Sequence, residues 1–311
     1  MDSLAPVAAP VIAVVGPTAA GKSALALALA RERGGEIVCC DSLQVYRGLD
    51  IGSAKATPAE RAAVPHHMLD VADPDEPFSA AEYSRQARAA LAAITGRGRL
   101  AVVAGGTGLY LRALLHGLFE GPSRDEALRG RLERIALRRG DSSLHRMLAA
   151  VDPEAAARIA PRDRLRVVRA LEVFRATRRP ISEHHRAGSD PLRGHDVLVL
   201  GLDPPRDALR EAVERRTADM LARGLVDEAR RLLDRGYGPH LRPLRAIGYK
   251  QAVAVARGEM EADPARRAIV AETMRYAKRQ MTWFRHQAEV AWFPAPEPAL
   301  AAARAWLDAR G

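Results

Sequence analysis

The stretch Gly16-Pro17-Thr18-Ala19-Ala20-Gly21-Lys22-Ser23, set directly after the apolar run Val11–Val15, constrains this chain more than any other feature. The pattern G-x-x-x-x-G-K-[ST] between a strand and a helix cradles phosphate. Glycines let backbone N–H groups converge on phosphate oxygens, and Lys22 adds a point charge. The Ser23 hydroxyl can hold Mg²⁺, and the helix that follows offers its positive N-terminus. A glycine-rich turn ahead of an Ala/Leu helix is the plainer reading, but the strand-to-helix context favours a diphosphate or nucleotide site over residues 16–23.

Val11–Val15 reads as a buried strand, Lys22–Arg33 as a helix and Glu36–Cys40 as a second strand ending at Asp41, a βαβ opening. Leu100–Ala104 is another continuous apolar strand, followed by the turn Gly105-Gly106-Thr107-Gly108 and a helix over Leu109–His116. Uninterrupted apolar runs of this kind mark parallel strands buried on both faces. The expected fold is therefore α/β, a P-loop protein with a doubly wound parallel sheet. In such a sheet the loops at Gly16, Asp41 and Gly105 converge on one crevice at the carboxyl ends of the strands.

From about residue 120 the sequence becomes helical and rich in arginine, until His195–Leu202 restores a strand pattern. This predicts an all-helical domain over 120–195 inserted into a catalytic core made of 1–119 and 196–311. Gly121-Pro122 and Gly188-Ser189-Asp190-Pro191 supply turn chemistry at the two junctions. Arg206–Trp292 reads as helical, with a break at Gly236-Tyr237-Gly238-Pro239 and a short final helix after Pro298.

The formal net charge is +10, carried almost wholly by arginine, and points to an anionic partner, nucleic acid first. Arginine-favouring codon usage would raise the total as well. The excess is concentrated, however: residues 120–195 hold 17 Arg against 11 Asp plus Glu. Cys39 and Cys40, adjacent in a buried strand, offer neither a disulfide framework nor metal-ligand spacing, so a reducing, cytoplasmic setting is expected. Met1–Pro10 lacks a basic leader pattern and no apolar run approaches about 18 residues, so no membrane association is expected.

Asp41 is the carboxylate that ends an early strand. It can accept a proton from a nucleophile, bind Mg²⁺ through water, or cap the turn at Ser42 and Gln44. Thr18 can donate its hydroxyl to the bridging oxygen of a leaving group. Thr107 can do the same or touch the acceptor, and both threonines are also ordinary turn formers. On a helical wheel, Met274, Ala277, Met281 and Phe284 form an apolar stripe, while Arg275, Lys278, Arg279 and Thr282 share another face. With no interleaved carboxylate, that face suits a phosphate backbone. Arg162, Arg166 and Arg169 repeat the pattern in the inserted domain, which suggests a clamp. His66-His67 and His184-His185 lack the spacing of zinc ligands.

Six stretches in order resemble the tRNA dimethylallyltransferases, also called tRNA isopentenyltransferases, of bacterial type. They are Gly16–Ser23, Asp41–Tyr46, Asp50–Lys55, Pro65–His67, Gly105–Tyr110 and Arg245–Lys250, within a resemblance running from about Val11 to Phe293. Ser23 stands where many members carry Thr, which preserves the hydroxyl.

The resemblance implies transfer of a dimethylallyl group from dimethylallyl diphosphate to N6 of adenosine-37 of tRNA, with diphosphate leaving. It implies that Gly16–Ser23 hold the diphosphate with Mg²⁺, that Asp41 acts as base toward the amine and that Thr18 assists departure. It assigns Asp41, Ser42, Leu43 and Gln44 to the tRNA anticodon stem-loop, with Leu165, Arg166 and Arg169 from the inserted domain. Arg245, Gly248, Tyr249 and Lys250 join them, as do Thr273, Arg275, Lys278, Arg279 and Gln280. Thr107 and Arg129 would lie at the target loop. The protein is expected to act as a monomer. A metabolite kinase would explain the phosphate loop but not the basic insertion, and a non-catalytic RNA-binding protein would leave Asp41 without purpose.

Overall fold

The computed structural model describes residues 8–119, 121–122, 125–186 and 190–310. In chain order it opens with β1 (Ala9–Val15), α1 (Lys22–Glu32), β2 (Glu36–Cys39), α2 (Pro58–Ala63), β3 (His66–His67), α3 (Ala80–Gly96), β4 (Ala101–Ala104) and α4 (Gly108–His116). Five helices follow: α5 (Glu126–Arg139), α6 (Asp141–Val151), α7 (Pro153–Arg158), α8 (Arg164–Thr177) and α9 (Ile181–Arg186). The chain then runs through β5 (His195–Leu202), α10 (Arg206–Ala222), α11 (Leu225–Asp234), a 3₁₀ turn at Pro243–Arg245, α12 (Tyr249–Ala256), α13 (Ala262–Gln287), β6 (Ala291–Phe293) and α14 (Pro296–Asp308).

All six strands are parallel, in the order β3-β2-β4-β1-β5-β6. β1 reaches β2 across the position that β4 later fills, and β3 returns to β4 in the opposite direction. Right-handed crossovers therefore put α1 and α3 on opposite faces of the sheet, the doubly wound arrangement expected. Val11, Ile12, Val14 and Val15 are at most 2% exposed, and burying each aliphatic side chain is worth about 1.5–3 kcal/mol.

Register brings the functional loops to one level. Val14 pairs with both Ala104 and Leu200, and Cys39 pairs with Ala104. The segments after β1, β2 and β4 thus leave the sheet at the same edge. The Gly105 N–H donates to Val14 O, and the Thr107 N–H donates to Cys40 O, which stitches the three loops together.

The chain divides into two compact units, Met1–Leu115 with Leu192–Gly311, and His116–Pro191. The second unit is helical and has its own core, with Leu132, Leu144, Leu148, Val167 and Leu171 all nearly fully buried. These boundaries fall at 115/116 and 191/192, against the 119/120 and 195/196 read from the sequence. Of the turn residues expected at the second junction, Gly188 and Ser189 lie outside the described residues.

Two strands escaped the sequence reading. His66-His67 is β3, and Trp292, placed in a helical stretch, belongs to β6. Each has at most three residues, too few to show a period, and each exists because an edge of the existing sheet supplies partners.

Candidate active site

The phosphate loop owes its shape to two glycines. Gly16 has φ +131°, and a Cβ there would stand 2.5 Å from Leu202 O of β5. Gly21, at φ +92°, caps α1 without a side-chain hydrogen bond, so the first-turn amides of that helix have no partner within it. Residues Thr18–Ser23 line a cavity of about 510 Å³, within the roughly 300–1,000 Å³ usual for small-molecule sites. Gly16 and Pro17 are not part of that lining.

The Lys22 ammonium donates to Pro17 O at 2.6 Å. Its pKa is lowered to about 7, first by burial and then by the Arg216 guanidinium, with Asp41 and Cys40 pulling the other way. Ser23 is exposed on the first turn of α1 and faces the cavity.

Asp41 leaves β2 into the same cavity. Its Oδ1 accepts the Leu43 N–H at 2.8 Å and the Gln44 N–H at 3.3 Å, so the capping function is real on that oxygen. Oδ2 has no hydrogen-bond partner among the described residues. Thr107 stands beside the same turn, outside the cavity lining: its Oγ1 accepts the Ser42 N–H at 3.0 Å. Gln44 reaches across with Nε2 to Ser53 O and Ala54 O, fixing the segment that carries Asp41.

Arg216 of α10 and Tyr276 of α13, neither singled out from the sequence, also line the cavity. Burial lowers the Arg216 pKa against the pull of Asp41. Burial, then the Asp41 carboxylate, pushes the Tyr276 phenol up to about 12, so it stays a hydrogen-bond donor at neutral pH. No local signal marks them: Arg216 is one arginine among many on an ordinary helix, and only packing turns it inward.

The residues assigned by resemblance to tRNA land in different places. Ser42, Leu43, Gln44, Gly248 and Thr273 line the cavity with Asp41. Arg275, Lys278 and Arg279 are exposed on α13 and have no carboxylate partner among the described residues, while Ala277 and Phe284 of the apolar stripe are buried. Arg245 is exposed. Lys250 is exposed too but pairs with Glu272 at 2.6 Å.

Four of these assignments meet partners inside the fold. Tyr249 is fully buried, and its hydroxyl donates to Glu228 at 2.6 Å, because Gly52 lets its ring pack tightly beneath the Asp50–Gly52 segment. Gln280 is 7% exposed and turned toward the phosphate loop. In the helical unit, Arg129 is spent on a two-pronged ion pair with the buried Glu172, at 2.5 and 2.6 Å. The row Arg162, Arg166 and Arg169 is not carboxylate-free, since Arg166 pairs with Asp163 at 3.4 Å and Arg169 lies 3.7 Å from Glu172 while donating to Pro122 O. Leu165, by contrast, is 77% exposed.

A parallel α/β sheet whose phosphate loop and strand-end aspartate open into one cavity defines a P-loop protein with room for a second reactant. The chain belongs to the IPP transferase family, whose model matches residues 44–287. A tRNA dimethylallyltransferase from Koribacter versatilis is 50% identical over 279 residues, covering 90% of this chain and 91% of its own. One from Anaeromyxobacter sp. (strain K) is 51% identical over 299 residues, covering 96% and 97%. Among solved structures, a tRNA isopentenylpyrophosphate transferase from Bacillus halodurans matches with TM-score 0.69 at 38% identity, covering 96% of each chain. A eukaryotic dimethylallyltransferase acting on tRNA matches with TM-score 0.79 at 25% identity, covering 97% of this chain and 80% of that one. Among the described residues no helix is long and apolar enough to cross a membrane.

Proposed function

We propose that this chain transfers the dimethylallyl group of dimethylallyl diphosphate to N6 of adenosine-37 in the anticodon stem-loop of tRNA. The observation that carries the reading is the free Oδ2 of Asp41 in the same cavity as the Thr18–Ser23 loop. The exocyclic amine of adenine is a weak nucleophile with a delocalised lone pair, so it needs a proton acceptor as its new bond forms. In the reaction N6 bonds to the allylic C1, the C1–O bond to the diphosphate breaks, and the N6 proton passes to Asp41.

The departing diphosphate takes the bonding electrons. Arg216, the first-turn amides of α1 and Lys22, protonated once the diphosphate is bound, offer it positive charge held in position, the kind of stabilisation that favours the transition state most. Thr18 donates its hydroxyl toward the bridging oxygen. The Ser23 hydroxyl, exposed at the helix N-terminus, fits the P-loop position that holds Mg²⁺ together with phosphate oxygens, and Asp41 fits a water-mediated contact. When bound there, Mg²⁺ neutralises charge on the diphosphate.

N6 within a stacked loop cannot reach the cavity, so the adenosine is extruded. Arg275, Lys278 and Arg279 then hold the RNA backbone. The tRNA substrate and the two buried free thiols, Cys39 and Cys40, fit a cytoplasmic enzyme, and we read it as a monomer. Incubation with labelled dimethylallyl diphosphate, Mg²⁺ and unmodified tRNA tests the reading. Label enters the tRNA; turnover of ATP with no labelled tRNA would overturn it.

A further inference from the structure

The Lys55 side chain is 1% exposed, yet neither proton transfer nor diphosphate departure gives it a task. Its ammonium donates to Tyr46 O at 2.8 Å, to Asp50 Oδ1 at 2.8 Å and to Asp70 Oδ1 at 2.7 Å, so all three N–H bonds are used. The acceptors sit on three separate pieces of chain: the turn that carries Asp41, the loop before α2 and the loop after β3. Backbone bonds lace the same pieces together. The Asp70 N–H donates to Gln44 O at 3.3 Å, the Val71 N–H to Val45 O at 2.8 Å and the Lys55 N–H to Asp50 O at 3.0 Å.

Backbone strain gathers around this node. Ala54, Met68 and Asp70 have φ of +48°, +65° and +55°, left-handed values that residues with a Cβ hold only where surrounding contacts over-determine them. A buried ammonium drawing three segments together is such a contact. Lys55 itself is not in the cavity lining, whereas Gln44, Tyr46, Ser53 and Ala54 are. The Gln44 N–H reaches Asp41 Oδ1, and its Nε2 is held by Ser53 O and Ala54 O. Lys55 therefore fixes the segment that carries the carboxylate without touching the reacting groups.

We propose that Lys55 is a positioning residue for the proton acceptor, locking the 41–46 turn so that Asp41 Oδ2 stays in place for the acceptor amine. This rests on reading Asp41 as the base of prenyl transfer. A lysine that only stabilised the fold would affect every function of the cavity alike. One that positions Asp41 affects the step in which that carboxylate takes the proton. Loss of the ammonium leaves the fold supported, because Asp70 keeps Arg61 at 2.7 Å and the Asp50 side chain is 58% exposed to water.

A double-mutant cycle on the full-length protein tests this, reading single-turnover transfer from labelled dimethylallyl diphosphate to unmodified tRNA alongside pyrophosphate binding with Mg²⁺. Lys55→Met should lower the transfer rate about 10–100-fold and leave pyrophosphate affinity within about twofold. In the Asp41→Asn background the same substitution should change the rate by less than about threefold, because the carboxylate it positions is gone. Equal losses in both backgrounds, or a pyrophosphate affinity that falls in step with the rate, overturn the proposal. If Lys55→Met does not fold, Asp50→Ala takes its place, since it removes only a partner already open to water. A rate loss confined to the protein with Asp41 intact then supports the proposal, and an equal loss or none overturns it. A wild type that leaves tRNA unlabelled, or an Asp41→Asn variant with near-normal turnover, instead overturns the reading of the site and this proposal with it, so the two failures are told apart.

Discussion

Arg216 and Lys22 share one cavity from α10 and the start of α1, and the guanidinium stands second only to burial in bringing the lysine's pKa down to about 7. A lysine and an arginine lining one cavity with Asp41 form a site that is electrostatically incomplete until an anion arrives.

Proton uptake should accompany that arrival. With its pKa lowered to about 7, Lys22 is mostly neutral at pH 8; a bound diphosphate favours the ammonium and raises the pKa again. Pyrophosphate binding at pH 8 should therefore take up close to one proton, and affinity should fall as pH rises through about 7 toward the bound-state value. Titration calorimetry in two buffers of different ionisation enthalpy measures the uptake. It should vanish in Lys22→Ala, and Arg216→Gln should move the onset to higher pH.

Asp41→Asn separates the two functions of that side chain. An amide oxygen can still accept from Leu43 and Gln44, so the turn and the thermal stability should stay near wild type. Removing the proton acceptor should lower single-turnover prenyl transfer by about 10²–10⁴-fold with little change in tRNA affinity. Asp41→Ala should lose the turn bonds as well, at about 1 kcal/mol. Near-normal turnover by the Asn variant would remove Asp41 as the base.

Arg275, Lys278 and Arg279 face solvent without carboxylate partners among the described residues, so their charge is available to RNA phosphates. Neutralising all three should weaken binding of different tRNAs alike and reduce the slope of log affinity against log salt by roughly two to three. An unchanged slope in filter binding across salt concentrations would take this face out of the interface.

Glu228 accepts from the Asp50, Ile51 and Gly52 amides and from the Tyr249 hydroxyl, all within 3.2 Å. Glu228→Ala leaves several buried donors without partners and should cost about 3 kcal/mol or more in denaturant unfolding. Tyr249→Phe, which removes one of those bonds, should cost about 1 kcal/mol.

Contiguity decided which parts were legible in advance. The strands β1, β2, β4 and β5 announce themselves because each contains a continuous apolar run, largely buried in β1, β2 and β4 and half-buried over the first part of β5, and the parallel sheet follows from them. The phosphate loop is legible because its glycines, lysine and serine act within one short segment, and Asp41 because it ends a strand whose neighbours are recognisable. The basic row on α13 follows from helical periodicity alone.

Arg216, Tyr276 and Gln280 enter the same cavity from helices far along the chain, and nothing in their local sequence tells an inward polar residue from an outward one. The same limit hides the partners of Tyr249 and Arg129, since packing gives each a carboxylate within the fold. Local chemistry thus set the sheet, the phosphate loop and its aspartate. Only the folded chain, by bringing polar groups from distant helices within hydrogen-bond reach, decided which side chains complete the cavity and which hold the protein together.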